Sequence, residues 1–251
     1  MMSRFPVLLR RELGAYFLSP GTYVVIFLFL ISTGALFMYS VNAINHRTFP
    51  LSLIEVFLQF TMLFGFVLVF PLLTMRLFAE EFKLGTIEPL MTAPVGDWTV
   101  VLSKYVASVI FYGLLWLPTV FYFTVFRWAT GGNVASSSGV YWTAYLLVML
   151  MGMAYLSIGL LASALTKNQV VAAIIAFAVI SVVFYFGLLS GIASAQLPFF
   201  RDVISYFSAP EHMNDFFRGI IDTRAIVYYL SIVVLMLALT HRVVQSRRWR
   251  P

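Results

Sequence analysis

The sequence predicts an all-α integral membrane protein with six transmembrane helices, which form a single membrane domain over residues 1–251. Of its 251 residues, 61% are apolar and only 10% are charged, whereas a soluble domain carries roughly 25% charged residues. The apolar residues form blocks of about 20, enough to cross a hydrocarbon core about 30 Å thick. Basic residues lie mainly beside the ends of these blocks. This pattern is typical of membrane topology and does not indicate nucleic-acid binding.

The first segment, residues 3–19, is predicted to be an N-terminal interfacial helix. Arg10, Arg11 and Glu12 make it too polar to cross a membrane, while apolar side chains follow one side of the helix. Six apolar spans are predicted after it, at residues 22–41, 56–74, 105–126, 140–165, 170–189 and 225–240. Pro71 removes one backbone hydrogen bond in the second span, which neighbouring helices can tolerate in a membrane.

Two connecting segments are more polar than the spans. Residues 77–104 form the most charged internal segment on their side of the membrane, and we expect them, including Lys104, to lie in water. Residues 191–224 are moderately apolar, but they carry several charged residues and are divided by Pro198 and Pro210. This second pattern predicts short half-inserted or surface helices, which would form an extracytoplasmic helical loop.

The distribution of basic residues predicts the orientation. With six spans, both termini share one face, and most Lys and Arg residues lie on that face, among them Arg10, Arg76 and Lys104. Positively charged flanks are retained in the cytoplasm. We therefore expect a multi-pass protein of the cell (inner) membrane with both termini cytoplasmic. Trp128 and Trp142 then fall at the outer boundary, where interfacial aromatic residues are common.

The sequence shows none of the motifs that would indicate catalysis or metal binding. It has no cysteine, no H-E-x-x-H and no G-x-S-x-G, and its three histidines, His46, His212 and His241, lie far apart in sequence. We therefore expect no catalytic, cofactor-binding or metal-binding residues. The phosphate-binding pattern G-x-x-x-x-G-K-[ST] is also missing, so that any ATP hydrolysis must occur on another polypeptide. The uncharged span centres disfavour a channel or ion-coupled carrier.

Local chemistry predicts two short helices in residues 77–98. Residues from Arg76 to Lys83 can form the first, with Glu80 and Glu81 on its polar side, and Gly85 can end it in the left-handed conformation. Such a compact piece, held between two spans, is suited to contact a partner protein.

The second short helix can begin with Thr86 as its N-cap residue and with Glu88 near its positive end. Pro89 is acceptable in the first turn because its missing N–H would be unpaired there. Pro94 ends the helix.

Three stretches carry a family resemblance that spans nearly the full chain. The run from Met75 to Val95, M-R-x-F-A-E-E-x-x-x-G-T-I-E-x-L-x-T-A-P-V, resembles the signature of ABC-2 permeases. The stretches RRELGAYFLSP, Arg10 to Pro20, and NDFFRGIIDTRAIVYYLS, Asn214 to Ser231, are similar to segments of the gliding-motility-associated permease subfamily. Pro89 departs from the leucine of many relatives, which would shorten the second helix of the loop.

The resemblance implies an ABC-2, type V exporter-like fold in which a cytoplasmic coupling helix contacts an ATPase. The coupling residues expected from it are Arg76, Phe78, Glu80, Glu81, Gly85, Thr86, Glu88, Leu90 and Pro94. The implied partners are two copies of an ABC ATPase subunit that bind ATP and Mg, and a second permease that is identical or related. Membrane lipids and an extracytoplasmic protein are further expected partners.

The implied function is export or movement of a hydrophobic or amphiphilic substrate. Its path would lie at the permease dimer interface, near Gly34, Gly65 and Gly187, although small residues equally serve close helix packing. The alternative is a membrane anchor or force-transmitting subunit that moves an outer partner and transports nothing.

Overall fold

A computed structural model describes residues 5–45, 53–87, 95–130, 138–186 and 206–248. Within these ranges every regular element is a helix. The helices are α1 (Phe5–Leu18), α2 (Pro20–Asn45), α3 (Leu53–Thr74), α4 (Ala79–Leu84), α5 (Asp97–Ala129), α6 (Ser138–Leu165), α7 (Gln169–Phe186), α8 (Ala209–Phe217) and α9 (Thr223–Arg248).

The structure confirms the all-α membrane fold. In the described part of the chain, five helices are long and apolar enough to cross a membrane, namely α2, α5, α6, α7 and α9. Helix α3 corresponds to the second predicted span, and its apolar stretch within the fully described residues is Leu53–Met62. The total of six spans therefore stays a prediction.

Helix α6 lies at the centre of the bundle. In its most apolar stretch, 78% of the residues are buried by the protein, against 17% for α2 and 22% for α7. Two glycines of α6 allow this close packing. A Cβ atom at Gly152 would lie 2.1 Å from the ring of Tyr112 on α5, and one at Gly159 would lie 2.2 Å from Oγ1 of Thr74 at the end of α3. Small residues bring membrane helices together in this way.

Different helices form the two ends of the bundle. At one end, α1, α4, the start of α5 and the end of α9 come together, and the described chain both begins and ends there. At the other end, α8 packs on α6 through buried Met213 and Phe216. Thr143 of α6 donates a hydrogen bond of 2.7 Å to the carbonyl of Phe216, and Ser208 caps α8 by accepting one from the N–H of Glu211.

Two helices extend beyond the membrane spans that the sequence predicts. The third span was expected at residues 105–126, but α5 already begins at Asp97 after the extended residue Gly96. Its added turns begin with Asp97, an acidic residue that is favourable in the first turn of a helix, and they bury Val100 and Val101. Consequently Lys104 does not lie in water and is only 2% exposed. The last span, expected at residues 225–240, continues through α9 to Arg248.

Candidate functional site at one end of the bundle

Helix α4 begins where a serine of another helix caps it. The hydroxyl of Ser163 on α6 accepts hydrogen bonds of 3.0 Å from the backbone N–H groups of Phe78 and Ala79. It also donates one of 3.1 Å to the carbonyl of Met75. The first N–H groups of a helix need such outside acceptors. This explains why α4 starts at Ala79 and not near Arg76, as the sequence predicted.

The end of α4 agrees with its predicted chemistry. Gly85 follows the helix with φ of 71°, in the left-handed region that favours glycine. Phe78 and Phe82 are buried beneath the helix, with their ring centroids 6.0 Å apart. Leu84 is 65% exposed. Helix α4 therefore presents an apolar underside to the bundle and a mixed surface outward.

An ionic cluster of four residues joins α4 to α1 and α5. The ammonium of Lys104 lies 3.0 Å from Oε2 of Glu12 and 2.9 Å from Oε1 of Glu81. The guanidinium of Arg11 contacts the same two carboxylates, at 2.6 Å and 3.1 Å. We call Arg11, Glu12, Glu81 and Lys104 the ionic cluster.

Burial of the ionic cluster makes the attachment of α4 to α1 and α5 rigid. The side chains of Lys104 and Glu12 are 2% and 8% exposed, whereas Arg11 is 49% exposed. Removing one partner of a buried ion pair costs about 3–5 kcal/mol, because the other charge stays buried without compensation. The ammonium of Lys104 also lies 5.3 Å from the centroid of the Phe78 ring, a cation–π distance. The three helices are therefore expected to move together.

Helix α9 contacts the same region from the other side. The guanidinium carbon of Arg247 lies 4.2 Å from the centroid of the Phe82 ring. Its NH2 donates a hydrogen bond of 2.8 Å to the carbonyl of Leu165 at the end of α6. Nearby, the rings of Trp98 on α5 and His241 on α9 stack with centroids 4.4 Å apart and planes 11° apart. Four helices of the bundle thus meet around α4.

A cavity of about 530 Å³ lies between α1, the first turn of α2, the end of α3 and α4. Arg76 lines it and is held by a hydrogen bond of 2.6 Å from NH1 to Oγ of Ser19. Its guanidinium also packs on Gly21, where a Cβ atom would lie 2.8 Å from NH2. Glu80 lines the cavity from α4, together with the ionic-cluster residues Glu12, Glu81 and Lys104.

The structure places the predicted coupling residues unevenly. Arg76, Phe78, Glu80 and Glu81 surround the start of α4, and Gly85 and Thr86 are exposed at its end. Three further predicted residues, Glu88, Leu90 and Pro94, lie outside the described residues.

Of the three predicted pathway glycines, Gly34 is the one whose surroundings are described. A Cβ atom at Gly34 would lie 3.8 Å from the Tyr122 hydroxyl of α5, which is ordinary packing contact. Gly65 lies within α3, and Gly187 falls outside the described residues.

Sequence reasoning missed three residues of the site. Glu12, Lys104 and Ser163 complete the attachment of α4. The sequence did contain a signal for the pair of Glu12 and Lys104, because these two opposite charges are predicted to lie at the same membrane face. The role of Ser163 had no such sequence signal.

The fold and the site define a multi-pass helical membrane protein with a short polar helix attached to one end. A family model described as ABC-2 type transporter matches residues 3–221. The chain therefore belongs to the ABC-2 type transporter family and is a membrane permease domain. Membership implies that it works with an ABC ATPase in a transporter complex. No curated protein sequence matches the chain.

Proposed function

We propose that this chain is the permease subunit of an ATP-driven exporter, which moves a hydrophobic or amphiphilic substrate. ATP and Mg would bind to two copies of a separate ATPase subunit, and residues 77–98 would receive the motion. The ionic cluster carries this proposal, because it ties α4 to α1 and α5 through buried charges.

Transmission follows from the way in which α4 is attached. A push on α4 reaches α1 and α5 through Glu81 and Lys104, which lie 2.9 Å apart. It reaches α6 through the three hydrogen bonds of Ser163. Because breaking the buried pairs is costly, a rigid-body shift of these helices is favoured over local sliding.

The outward surface of α4 would contact the ATPase. Lys83, Leu84, Gly85 and Thr86 are exposed, and an exposed leucine on a short helix can enter an apolar groove of a partner. Glu88, Leu90 and Pro94 would continue this surface.

A second permease, identical or related, would cover the apolar faces of α2 and α7. Both helices are little buried within the chain and expose large apolar side chains such as Phe27 and Val182. The substrate path would lie at this interface, near Gly34, Gly65 and Gly187. The similarity of two segments to the gliding-motility-associated subfamily supports a place in that part of the family.

Orientation can be tested directly because the chain has no cysteine. Thr86→Cys, labelled with a membrane-impermeant maleimide, should react only when the cytoplasmic side of an inner-membrane vesicle is exposed. Labelling from the opposite side would overturn the proposed coupling role and the cytoplasmic location of both termini.

Coupling can be tested in vesicles that contain the chain and its ABC ATPase partner. We expect Glu81→Lys and Gly85→Val to insert normally but to lower ATPase co-purification or substrate-dependent hydrolysis. Glu211→Gln, which changes an exposed carboxylate on α8, is the control. Unchanged binding and hydrolysis in both test variants would contradict the proposed coupling site.

ATP turnover without movement of a labelled lipid would favour the force-transmitting alternative.

A further inference from the structure

The cavity beside α4 contains two charged side chains that have no counter-ion within the described residues. The guanidinium of Arg76 has a single hydrogen bond there, to Ser19, and its buried Nε has no acceptor. The carboxylate of Glu80 forms no ion pair or hydrogen bond with a described residue. The other charged lining residues, Glu12, Glu81 and Lys104, already pair within the ionic cluster. One cation, Arg76, and one anion, Glu80, on the cavity wall therefore have no ion-pair partner among the described residues.

The position of the cavity indicates what kind of molecule reaches it. It lies at the level where α2 begins with Pro20 and α3 ends with Thr74, which is the level of lipid headgroups for helices that cross a membrane. Val24 lines the cavity and is 57% exposed, and Phe27, one turn further along α2, is 62% exposed. The cavity therefore opens on an apolar surface, along which acyl chains can lie.

We propose that this cavity binds the headgroup of a phospholipid that carries a primary ammonium, that is, a phosphoethanolamine lipid. The phosphate would accept hydrogen bonds from Arg76, and the ammonium would donate to Glu80. Charge-assisted hydrogen bonds of this kind are among the strongest in proteins. The volume of about 530 Å³ lies within the usual range of small-molecule sites.

Two other lipid classes fit the cavity less well. An anionic lipid without an amine would pair with Arg76 but leave Glu80 uncompensated. A choline headgroup has no N–H to donate and is typically bound by several aromatic rings, whereas Tyr16 is the one aromatic residue among the described lining residues. The hydroxyl of Tyr16 is already hydrogen-bonded to the carbonyl of Leu73 at 3.2 Å.

The test is native mass spectrometry of the full chain, delipidated and mixed with equal amounts of dioleoyl phosphatidylethanolamine, phosphatidylcholine and phosphatidylglycerol. We expect one phosphatidylethanolamine per chain, bound roughly tenfold more tightly than either competitor, as the loss of one charge-assisted hydrogen bond implies. Equal binding of the three lipids, or preference for another, overturns the proposal. This comparison requires no variant, so that misfolding cannot obscure it.

Variants then locate the bound lipid. Arg76→Gln and Glu80→Gln should each lower phosphatidylethanolamine affinity roughly tenfold. Lys83→Gln and Glu211→Gln remove exposed charges that do not line the cavity and should change it less than about twofold.

A steric pair tests the cavity without altering charge. Val24→Trp should block its opening, whereas Val182→Trp on α7, which is 67% exposed, should not affect binding. Wild-type affinity in Arg76→Gln, Glu80→Gln and Val24→Trp would show that the lipid binds elsewhere and would overturn the assignment. The coupling assays measure ATPase co-purification and hydrolysis, and their outcome does not depend on which lipid the cavity prefers. Failure of the proposed coupling function and failure of this lipid proposal are therefore separate results.

Discussion

The ammonium of Lys104 on α5 lies 3.0 Å from Oε2 of Glu12 on α1, and the two residues are 92 positions apart in sequence. Lys104→Met would leave the buried Glu12 and the partly buried Glu81 with reduced compensation. We expect a loss of about 3–5 kcal/mol in the free energy of unfolding, measured by thermal or denaturant unfolding in detergent. Lys167→Met, at an exposed turn, should change it by less than about 0.5 kcal/mol.

A double variant tests whether this pair is coupled. Glu12→Gln together with Lys104→Met removes both charges, so that the combined loss should be smaller than the sum of the two single losses. Strict additivity would show that the pair does not hold α1 to α5.

The cap supplied by Ser163 gives a second prediction. Ser163→Ala leaves the N–H groups of Phe78 and Ala79 without their buried acceptor, which should cost about 1–3 kcal/mol. Ser157→Ala is a matched control, since Ser157 is equally buried on α6 but bonds only to the carbonyl of Ala154 in its own helix. Equal losses in the two variants would show that the cap of α4 contributes no special stability.

The packing of α6 on α3 gives a third prediction. Gly159→Ala places a methyl group about where Thr74 now lies, and the resulting strain should cost about 1–3 kcal/mol. Gly113→Ala on α5 meets nothing within 4 Å and should be neutral or slightly stabilising. A stable Gly159→Ala protein with an unshifted Tm would argue against this contact.

Gly85 gives a fourth prediction, based on its φ of 71°. Gly85→Val should destabilise the end of α4 by roughly 1–2 kcal/mol, because side chains other than glycine clash in this conformation. Gly85→Asn should cost less, since asparagine tolerates the left-handed region. Hydrogen exchange of the α4 amides measures the difference, and identical exchange in the two variants would contradict it.

His212 gives a fifth prediction, on pH dependence. Burial lowers the pKa of this imidazole below its usual 6.5, against the opposing effects of Asp222 and Asp215. The tyrosine hydroxyl of Tyr229 lies 3.4 Å from its Nδ1. The unfolded chain then binds the proton more readily, so that the stability contributed by neutral His212 is present above about pH 6.5 and is lost as the pH falls further.

The measurement is the Tm at about pH 7.5 and about pH 5.5. We expect a larger fall in the wild-type chain than in His212→Phe, whose ring does not titrate. Glu211→Gln, one residue away on the same helix, is the control for general damage to α8. Equal falls in the wild-type and His212→Phe proteins would contradict the assignment.

The helices could be predicted from the sequence because the length of an apolar block directly reflects the thickness of a membrane. The start of α5 could not, since the residues from Asp97 to Lys104 mix polar and apolar side chains and resemble a loop in water until a partner for Lys104 is known. That partner, Glu12, lies in a distant helix.

Within the candidate site, features that depend on neighbouring residues could be predicted from the sequence, whereas features that depend on distant residues could not. The conformation of Gly85 was predictable because it depends on its immediate neighbours. The start of α4 was not, because the hydroxyl of Ser163 lies 85 positions from Phe78 in sequence.

The stacked rings of Trp98 and His241 offer a practical consequence. They join α5 to α9 beside α4, with centroids 4.4 Å apart. Any transport step that separates these two helices must also separate the rings and alter the environment of the indole. In a variant whose other four tryptophans are replaced by phenylalanine, the fluorescence of Trp98 is therefore an intrinsic optical signal of helix movement, which requires no attached dye and can be followed in real time during ATP turnover.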